Sequence, residues 1–181
     1  MIDFFALFGQ LVAGWLLADL IGGLFHWWED RAAERRWPII GELIVEPNRV
    51  HHFNPVAFTR DGFFTRNWTT WAVVLPLSAA WVAAIGVSAC WAAATIGGLA
   101  SSQVHYWAHR APDARPAWVS ALQEAGVFQS PRHHGVHHRD AARAYCILTN
   151  LLNPLLDRLR VWDRLERLLA WSGIPVNGGT R

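Results

Sequence analysis

The chain has 181 residues, of which 52% are hydrophobic and 17% are charged, and its formal net charge is +2. A chain of this length forms one domain, which we expect to cover residues 1–181. The small charge gives no reason to expect a nucleic-acid partner. The two cysteines form no CxxC motif, so the sequence indicates neither a disulfide framework nor an iron–sulfur cluster.

The first predicted element is a membrane-spanning helix over about residues 4–25. This segment is apolar except for Gln10 and Asp19, and about 20 apolar residues are enough to cross a bilayer. A secretory signal peptide is the alternative, but the segment has no basic start and no small-residue cleavage site, and it continues directly into His26. Asp19 lies two helical turns before His26, so we expect it to face either the functional site, as a substrate contact, or a structural hydrogen-bond partner.

Two further spans are predicted over residues 68–86 and 88–106. No Asp, Glu, Lys or Arg occurs between residues 67 and 109, which leaves room for two crossings with a reversal near Gly86. We therefore predict an all-α integral membrane protein with about three transmembrane helices.

The arginines predict the orientation of these spans. The chain has no lysine, and its sixteen arginines lie between residues 31 and 66 or from Arg110 onward. By the positive-inside rule, segments 29–67 and 109–181 are cytoplasmic and form a cap on a membrane that we expect to be a bacterial inner membrane. An aromatic belt at this interface would consist of Trp27, Trp28, Trp68, Trp71 and Trp107.

A last helix is predicted after the Asn153-Pro154 pair. Leucine and tryptophan recur there at helical spacing, and arginines take the other positions. The apolar set is Leu155, Leu156, Leu159, Trp162, Leu165, Leu168 and Leu169. The pattern is typical of an amphipathic helix that lies on the membrane surface, or of one packed on the cytoplasmic cap.

The nine histidines all fall into four clusters. The clusters are His26; His51 and His52; His105 and His109; and His133, His134, His137 and His138. A spacing of four residues puts two rings on one face of a helix, and neutral imidazole is the commonest ligand of first-row transition metals. So many ligands exceed the needs of one ion, and Asp30 adds an oxygen donor that suits iron or manganese better than a structural zinc. The sequence therefore predicts a site with more than one metal.

Two other classes of metal protein fit less well. A zinc protease of the HExxH type needs a glutamate between its two histidines, whereas Tyr106 and Trp107 follow His105. A non-enzymatic metal transporter or pH sensor would place its ligands in the middle of the membrane, whereas the predicted clusters gather at one interface.

Five blocks of the sequence, spread over roughly residues 17–168, resemble the Kua/CarF-type lipid desaturases, a family that includes plasmanylethanolamine desaturases. The blocks are ADLIGGLFHWWED (18–30), NRVHHFNPVAFTRDGF (48–63), SQVHYWAH (102–109), SPRHHGVHH (130–138) and YCILTNLLN (145–153). The resemblance implies a non-haem diiron centre. Its ligands would be His26, Asp30, His51 or His52, His105, His109, His133 or His134, His137 and His138.

The same resemblance implies an O2-dependent oxidoreductase that converts an alkyl-ether phospholipid, plasmanylethanolamine, to its vinyl ether. An acyl-chain desaturase or hydroxylase acting on an ester phospholipid, and a non-enzymatic membrane metal-binding protein, are the alternatives. The sequence has no Rossmann, haem-attachment or flavin motif, so electrons are expected from a separate donor, a cytochrome b5-like protein or a ferredoxin. Arg49 is either a contact to the lipid phosphate or a solvated surface arginine.

Overall fold

The computed structural model describes residues 3–176, which form helices joined by loops and contain no strand. The helices are α1 (Phe4–Arg31), α2 (Glu46–Phe53), α3 (Phe63–Ile85), α4 (Ala89–Ala108), α5 (Ala117–Glu124), α6 (Pro131–Arg139), α7 (Leu152–Arg158) and α8 (Val161–Trp171). A π-helical turn over Gly41–Val45 leads into α2, and short 3-10 turns cover Ala57–Arg60 and Pro112–Ala114. The all-α prediction is confirmed over this range, and the single domain predicted over residues 1–181 extends beyond it at both ends.

Three of the four helices that carry clustered histidines, α1, α4 and α6, begin at capping side chains. Asp3 accepts a hydrogen bond from the backbone N–H of Phe5 at the start of α1, and Ser88 accepts one from Trp91 at the start of α4. Ser130 caps α6 in the same way. Such side chains satisfy N–H groups that have no partner inside the helix, so they fix the first turn of each of these three helices.

Two helices, α1 and α3, are long and apolar enough to cross a membrane, with mean hydropathies of 1.8 and 1.5. Helix α4, which corresponds to the predicted third span, does not meet this criterion because Ser, Gly and Gln residues interrupt its apolar sequence. Only residues 86–88 separate α3 from α4, and Gly86 has φ +92°. The Thr70–Ser102 and Ser78–Thr95 hydrogen bonds show that α4 returns antiparallel to α3.

Helix α4 packs between α1 and α3. Two consecutive glycines of α4 lie at these interfaces, Gly97 against α1 and Gly98 against α3. A Cβ on Gly97 would lie 2.9 Å from the Cβ of Ala18 on α1, and a Cβ on Gly98 would lie 3.1 Å from Val74 on α3. Small residues let membrane helices approach this closely. Because α1 and α4 run parallel, their C-terminal turns, which carry His26 and His105, lie at the same end of the protein.

The predicted C-terminal helix is divided into α7 and α8 at Arg160, whose φ is +49°. Trp162 is only 2% exposed, and its ring centroid lies 4.9 Å from that of Tyr145. Leu168 and Trp171 are exposed on the other side of α8. One face of α8 therefore packs against the loop that carries Tyr145, and a second apolar face, with Leu168 and Trp171, is uncovered.

Candidate metal centre

Five histidines from three helices form the first donor group. They are His51 from α2, His105 and His109 from the end of α4, and His134 and His138 from α6, and their ligand nitrogens all lie within 4.8 Å of one another. The Nε2 atom of His105 lies 3.0 Å from that of His51, 2.9 Å from that of His134 and 3.2 Å from that of His109. The side chains therefore converge on one point.

Hydrogen bonding among the rings does not account for this arrangement. A neutral imidazole nitrogen either donates one hydrogen or accepts one, so the Nε2 atom of His105 cannot satisfy three neighbouring Nε2 atoms. A metal–nitrogen distance of about 2.1 Å, with ligands at about 90°, places neighbouring donor atoms about 3.0 Å apart. The observed spacings of 2.9 to 3.2 Å match this value, so the group fits a metal ion at its centre.

The second donor group consists of His26, Asp30, His52 and His137. The carboxylate of Asp30 lies 3.0 Å from Nε2 of His52 and 3.2 Å from Nε2 of His137. The Nε2 atom of His26 is buried and has no hydrogen-bond partner within residues 3–176. Three imidazoles and one carboxylate form a donor set suited to iron or manganese.

Backbone carbonyls orient two rings of the second group. Nδ1 of His26 lies 3.0 Å from the carbonyl oxygen of Tyr145, and Nδ1 of His137 lies 2.8 Å from that of Arg143. A carbonyl only accepts hydrogen bonds, so each Nδ1 donates and each Nε2 keeps its lone pair. Both carbonyls belong to the loop between α6 and α7, which crosses α1 at Gly23, where a Cβ would lie 2.6 Å from Sγ of Cys146.

Burial keeps four of the clustered histidines neutral. Together with the positive charge that neighbouring histidines would carry, it lowers the pKa of His109 to about 4 and that of His138 to about 3. The pKa values of His51 and His134 also lie well below their usual range for the same two reasons. These imidazoles are therefore unprotonated near neutral pH and available to a metal.

The two donor groups are adjacent. The ring centroids of His52 and His138, which belong to different groups, are 5.4 Å apart, and those of His26 and His105 are 6.3 Å apart. Consecutive histidines separate between the groups: His51 and His138 enter the first group, whereas His52 and His137 enter the second. Consecutive residues on a helix point about 100° apart, so one histidine pair can serve two neighbouring metals.

A cavity of about 460 Å³ leads away from both groups between α1, α3 and α4. His26, His51 and His105 line one end of it, and Trp81 and Trp91 are the lining residues farthest from them along α3 and α4. His105 follows Trp91 by fourteen positions, which correspond to about 21 Å of helix. The cavity is thus long and narrow enough to suggest a chain-shaped ligand.

Three predicted site residues lie elsewhere. His133 is half-buried on α6 and belongs to neither donor group. Asp19 does not line the cavity, because its carboxylate accepts hydrogen bonds from the backbone N–H of Leu148 and the hydroxyl of Thr149. Arg49 does not line it either and forms a two-point ion pair with Glu46. The structure thus shows hydrogen-bond partners for Asp19 and an ion-pair partner for Arg49, both outside the lining of the cavity.

Two side chains at the site were not predicted. Asn48 donates a hydrogen bond to Oδ1 of Asp30. It lies four residues before His52 on α2, and this spacing, which puts both side chains on one face of the helix, could have predicted its place at the site. Phe58 packs its ring 4.8 Å from that of His51 and 4.9 Å from that of His105, and all three side chains line the cavity. Phe58 lies in a 3-10 turn, where helical periodicity gives no signal.

The fold and the site define a helical membrane protein with two adjacent donor groups that could each hold a metal ion. The lipid desaturase domain family matches residues 15–174. The chain therefore belongs to this family, as the five sequence blocks predicted.

Individual relatives cover most of the chain. It is 29% identical to plasmanylethanolamine desaturase of Myxococcus xanthus over 174 residues, which are 92% of this chain and 61% of that protein. It is 34% identical to plasmanylethanolamine desaturase 1 of Mus musculus, over 88% of this chain and 63% of that protein. It is 36% identical to chloroplastic fatty acid desaturase 4 of Arabidopsis thaliana, over 88% of this chain and 50% of that protein. The chain thus spans half to about three fifths of these relatives, and no solved structure matches it.

Proposed function

We propose that this protein is a membrane-bound diiron lipid desaturase that converts an alkyl-ether phospholipid, plasmanylethanolamine, to its vinyl ether with O2 and two electrons. One observation carries the proposal: two adjacent metal-donor groups lie at one end of a long cavity between membrane helices. Two relatives are named plasmanylethanolamine desaturases, which supports this choice of lipid.

The position of the donors along the cavity favours oxidation near the lipid headgroup. The donors lie at the end of α1 and α4, where the polar residues Glu42 and Asp61 also line the cavity. A phospholipid whose headgroup lies at this end would present the first carbons of its chain to the metals, and the remaining carbons would extend toward Trp91. Vinyl-ether formation requires oxidation at these first carbons, whereas mid-chain desaturation would require the metals halfway along the cavity.

The residues of the site hold the metals and keep water away from them. Eight histidines and Asp30 supply the donor atoms, and the carbonyls of Tyr145 and Arg143 fix the orientation of two rings. Phe58 packs its apolar ring against His51 and His105 at the metal end of the cavity, which lowers the access of water to the reacting carbons. With two iron ions bound, dioxygen, two electrons and two protons remove two hydrogens from neighbouring carbons and leave two waters.

In this proposal α1, α3 and α4 all cross the membrane. If α3 crosses it, the turn at residues 86–88 lies on the far side and the antiparallel α4 must return. By the positive-inside rule, the arginine distribution supports a metal end on the cytoplasmic side of the membrane, which we propose is a bacterial inner membrane. A cytochrome b5-like protein or a ferredoxin would deliver electrons to that side.

The alternatives predict different products or no product. An acyl-chain desaturase or a hydroxylase would use the same metals on an ester phospholipid. A non-enzymatic metal-binding protein needs no chain-shaped cavity, so the cavity favours an enzyme.

Expression in a host that makes alkyl-ether phospholipids but no plasmalogens, together with an electron donor, tests the proposal. We expect an acid-labile vinyl ether, detected by mass spectrometry, and its absence when the matched variant His105→Ala is expressed at the same level. An ester lipid that gains a double bond or a hydroxyl would replace the ether assignment. No product from an iron-loaded protein with a competent donor would contradict the desaturase assignment.

A further inference from the structure

We propose that Trp91, together with Trp81, closes the far end of the cavity and sets the longest lipid chain that the protein accepts. The inference rests on the proposed function for the identity of the occupant, which is the hydrocarbon chain of a phospholipid. It adds to that function a residue that determines chain-length specificity.

The lining of α4 forms one continuous track from the metal donors. Between Trp91 and His105 the residues that line the cavity recur every three or four positions: Ala94, Thr95, Gly98, Ser101 and Ser102. The track is about 21 Å long, whereas the chains of one leaflet fill about 15 Å of a bilayer core that is about 30 Å thick. The cavity therefore has the depth to hold most of a membrane lipid chain beyond the metals.

Hydrogen bonds hold the indole of Trp91 in place. Its Nε1–H donates to Oγ of Ser78 on α3 at 2.9 Å, and that hydroxyl lies 2.9 Å from Oγ1 of Thr95. Ser78 and Thr95 themselves line the cavity. Because Trp91 is bonded to the opposite helix, a longer chain cannot rotate it aside without breaking these bonds.

Gly22 keeps the cavity open near its metal end. A Cβ added to Gly22 on α1 would meet no atom within 4 Å, although Gly22 lines the cavity one helical turn from His26. Its neighbour Gly23 instead faces the loop that crosses α1. A larger side chain at residue 22 would therefore occupy the cavity rather than collide with the fold.

The first test compares Trp91→Ala with Trp71→Ala. Trp71 also donates an indole hydrogen bond to α4, to the carbonyl of Leu99, but it does not line the cavity. With alkyl-ether phospholipids of graded chain length, Trp91→Ala should raise the yield from the longest chains relative to the shortest by about tenfold, the gain from burying about two further methylene groups. Trp71→Ala should keep the wild-type profile. An unchanged profile in Trp91→Ala, or an equal shift in Trp71→Ala, overturns the proposal.

The second test applies if Trp91→Ala fails to accumulate, and it needs no catalysis. Gly22→Leu should reduce the phospholipid that copurifies with the metal-free protein by about tenfold, whereas Gly9→Leu, at a position on α1 that is equally open but outside the cavity, should not. Equal amounts of lipid with both variants overturn the inference. If wild-type protein yields no desaturated lipid but Trp91→Ala, or Trp91→Phe where Trp91→Ala does not accumulate, copurifies with longer-chain phospholipids than wild type does, the proposed function fails and the chain-length inference stands.

Discussion

Asn48 donates a hydrogen bond from its side-chain amide to Oδ1 of Asp30, the single carboxylate of the second donor group. Nε2 of His52 lies 3.0 Å from the same oxygen, so Asn48 and His52, one turn apart on α2, hold Asp30 from one side. The other carboxylate oxygen, Oδ2, faces His26 and His137. Asn48 is therefore placed to fix the orientation of the Asp30 carboxylate, which would supply the oxygen ligand of a metal in the second group.

Replacing Asn48 by Ala should weaken metal binding at the second group. Groups that orient a metal ligand typically change metal affinity or activity by about 10–100-fold, so we expect a loss of that size for iron, measured by competition with a chelator. Asn54→Ala, an exposed residue just after α2, is the matched control. Equal affinity in the two variants would show that Asn48 does not position Asp30.

Neighbouring histidines on α6 provide a test of the ligand set. His134 is buried in the first donor group, whereas His133 belongs to neither group. Wild-type protein should bind about two irons per chain without labile sulfide, and His134→Ala should reduce this to about one and abolish product. His133→Ala should keep both the iron and the product. Loss of iron in His133→Ala alone would require a different ligand set.

The sequence predicted which residue types would form the site, but not how they divide between two metals. Spacing of four residues placed His105 with His109, and the structure shows them in one group. Two features depend on which side of a short helix faces the ends of α1 and α4. They are the choice between His133 and His134 on α6 and the separation of His51 from His52 on α2. Adjacent residues differ by about 100° around a helix, and only the packing of α2 and α6 on α1 and α4 determines that direction.

The long helices were more predictable than the C-terminal segment. The absence of charged residues between residues 67 and 109 predicted α3 and α4 to within five residues of their observed bounds, because a charge-free run is a local property of the sequence. The division of the last helix at Arg160 had no signal, since Arg rarely adopts a positive φ. Tertiary contacts hold it there: Oδ1 of Asp157 accepts hydrogen bonds from both Trp162 and the backbone of Ala144.

The cytoplasmic orientation proposed for the site rests on the arginines and can be measured directly. A reporter fused after Arg181, which lies outside the described residues, should be active in the cytoplasm, and one inserted at Gly86 should be active on the other side. Paired phosphatase and fluorescent-protein fusions give opposite readouts and control for expression. The reverse result would place the metal end away from a cytoplasmic electron donor and contradict that part of the proposed function.

Asp19 should contribute to stability rather than to catalysis. Its two carboxylate oxygens accept hydrogen bonds from the N–H of Leu148 at 2.8 Å and from the hydroxyl of Thr149 at 2.6 Å, which attach the loop between α6 and α7 to α1. Asp19→Ala leaves the buried N–H of Leu148 without its acceptor, at a cost of about 1–3 kcal/mol, which corresponds to a Tm lower by roughly 3–10 °C for a chain of this size.

Two variants separate this structural role from a substrate contact. Asp19→Asn keeps an oxygen acceptor for Leu148, so it should lower the Tm less than Asp19→Ala does, as measured by thermal unfolding in detergent. Thr149→Val removes both the bond from the hydroxyl to Asp19 and the acceptor of the backbone N–H of Leu151, so it should lower the Tm as well. Because the same loop carries the carbonyl of Tyr145 that orients His26, loss of iron should accompany the loss of stability across the series. A substrate contact would instead show as a raised KM with an unchanged Tm and full iron content, and that result would contradict the structural assignment of Asp19.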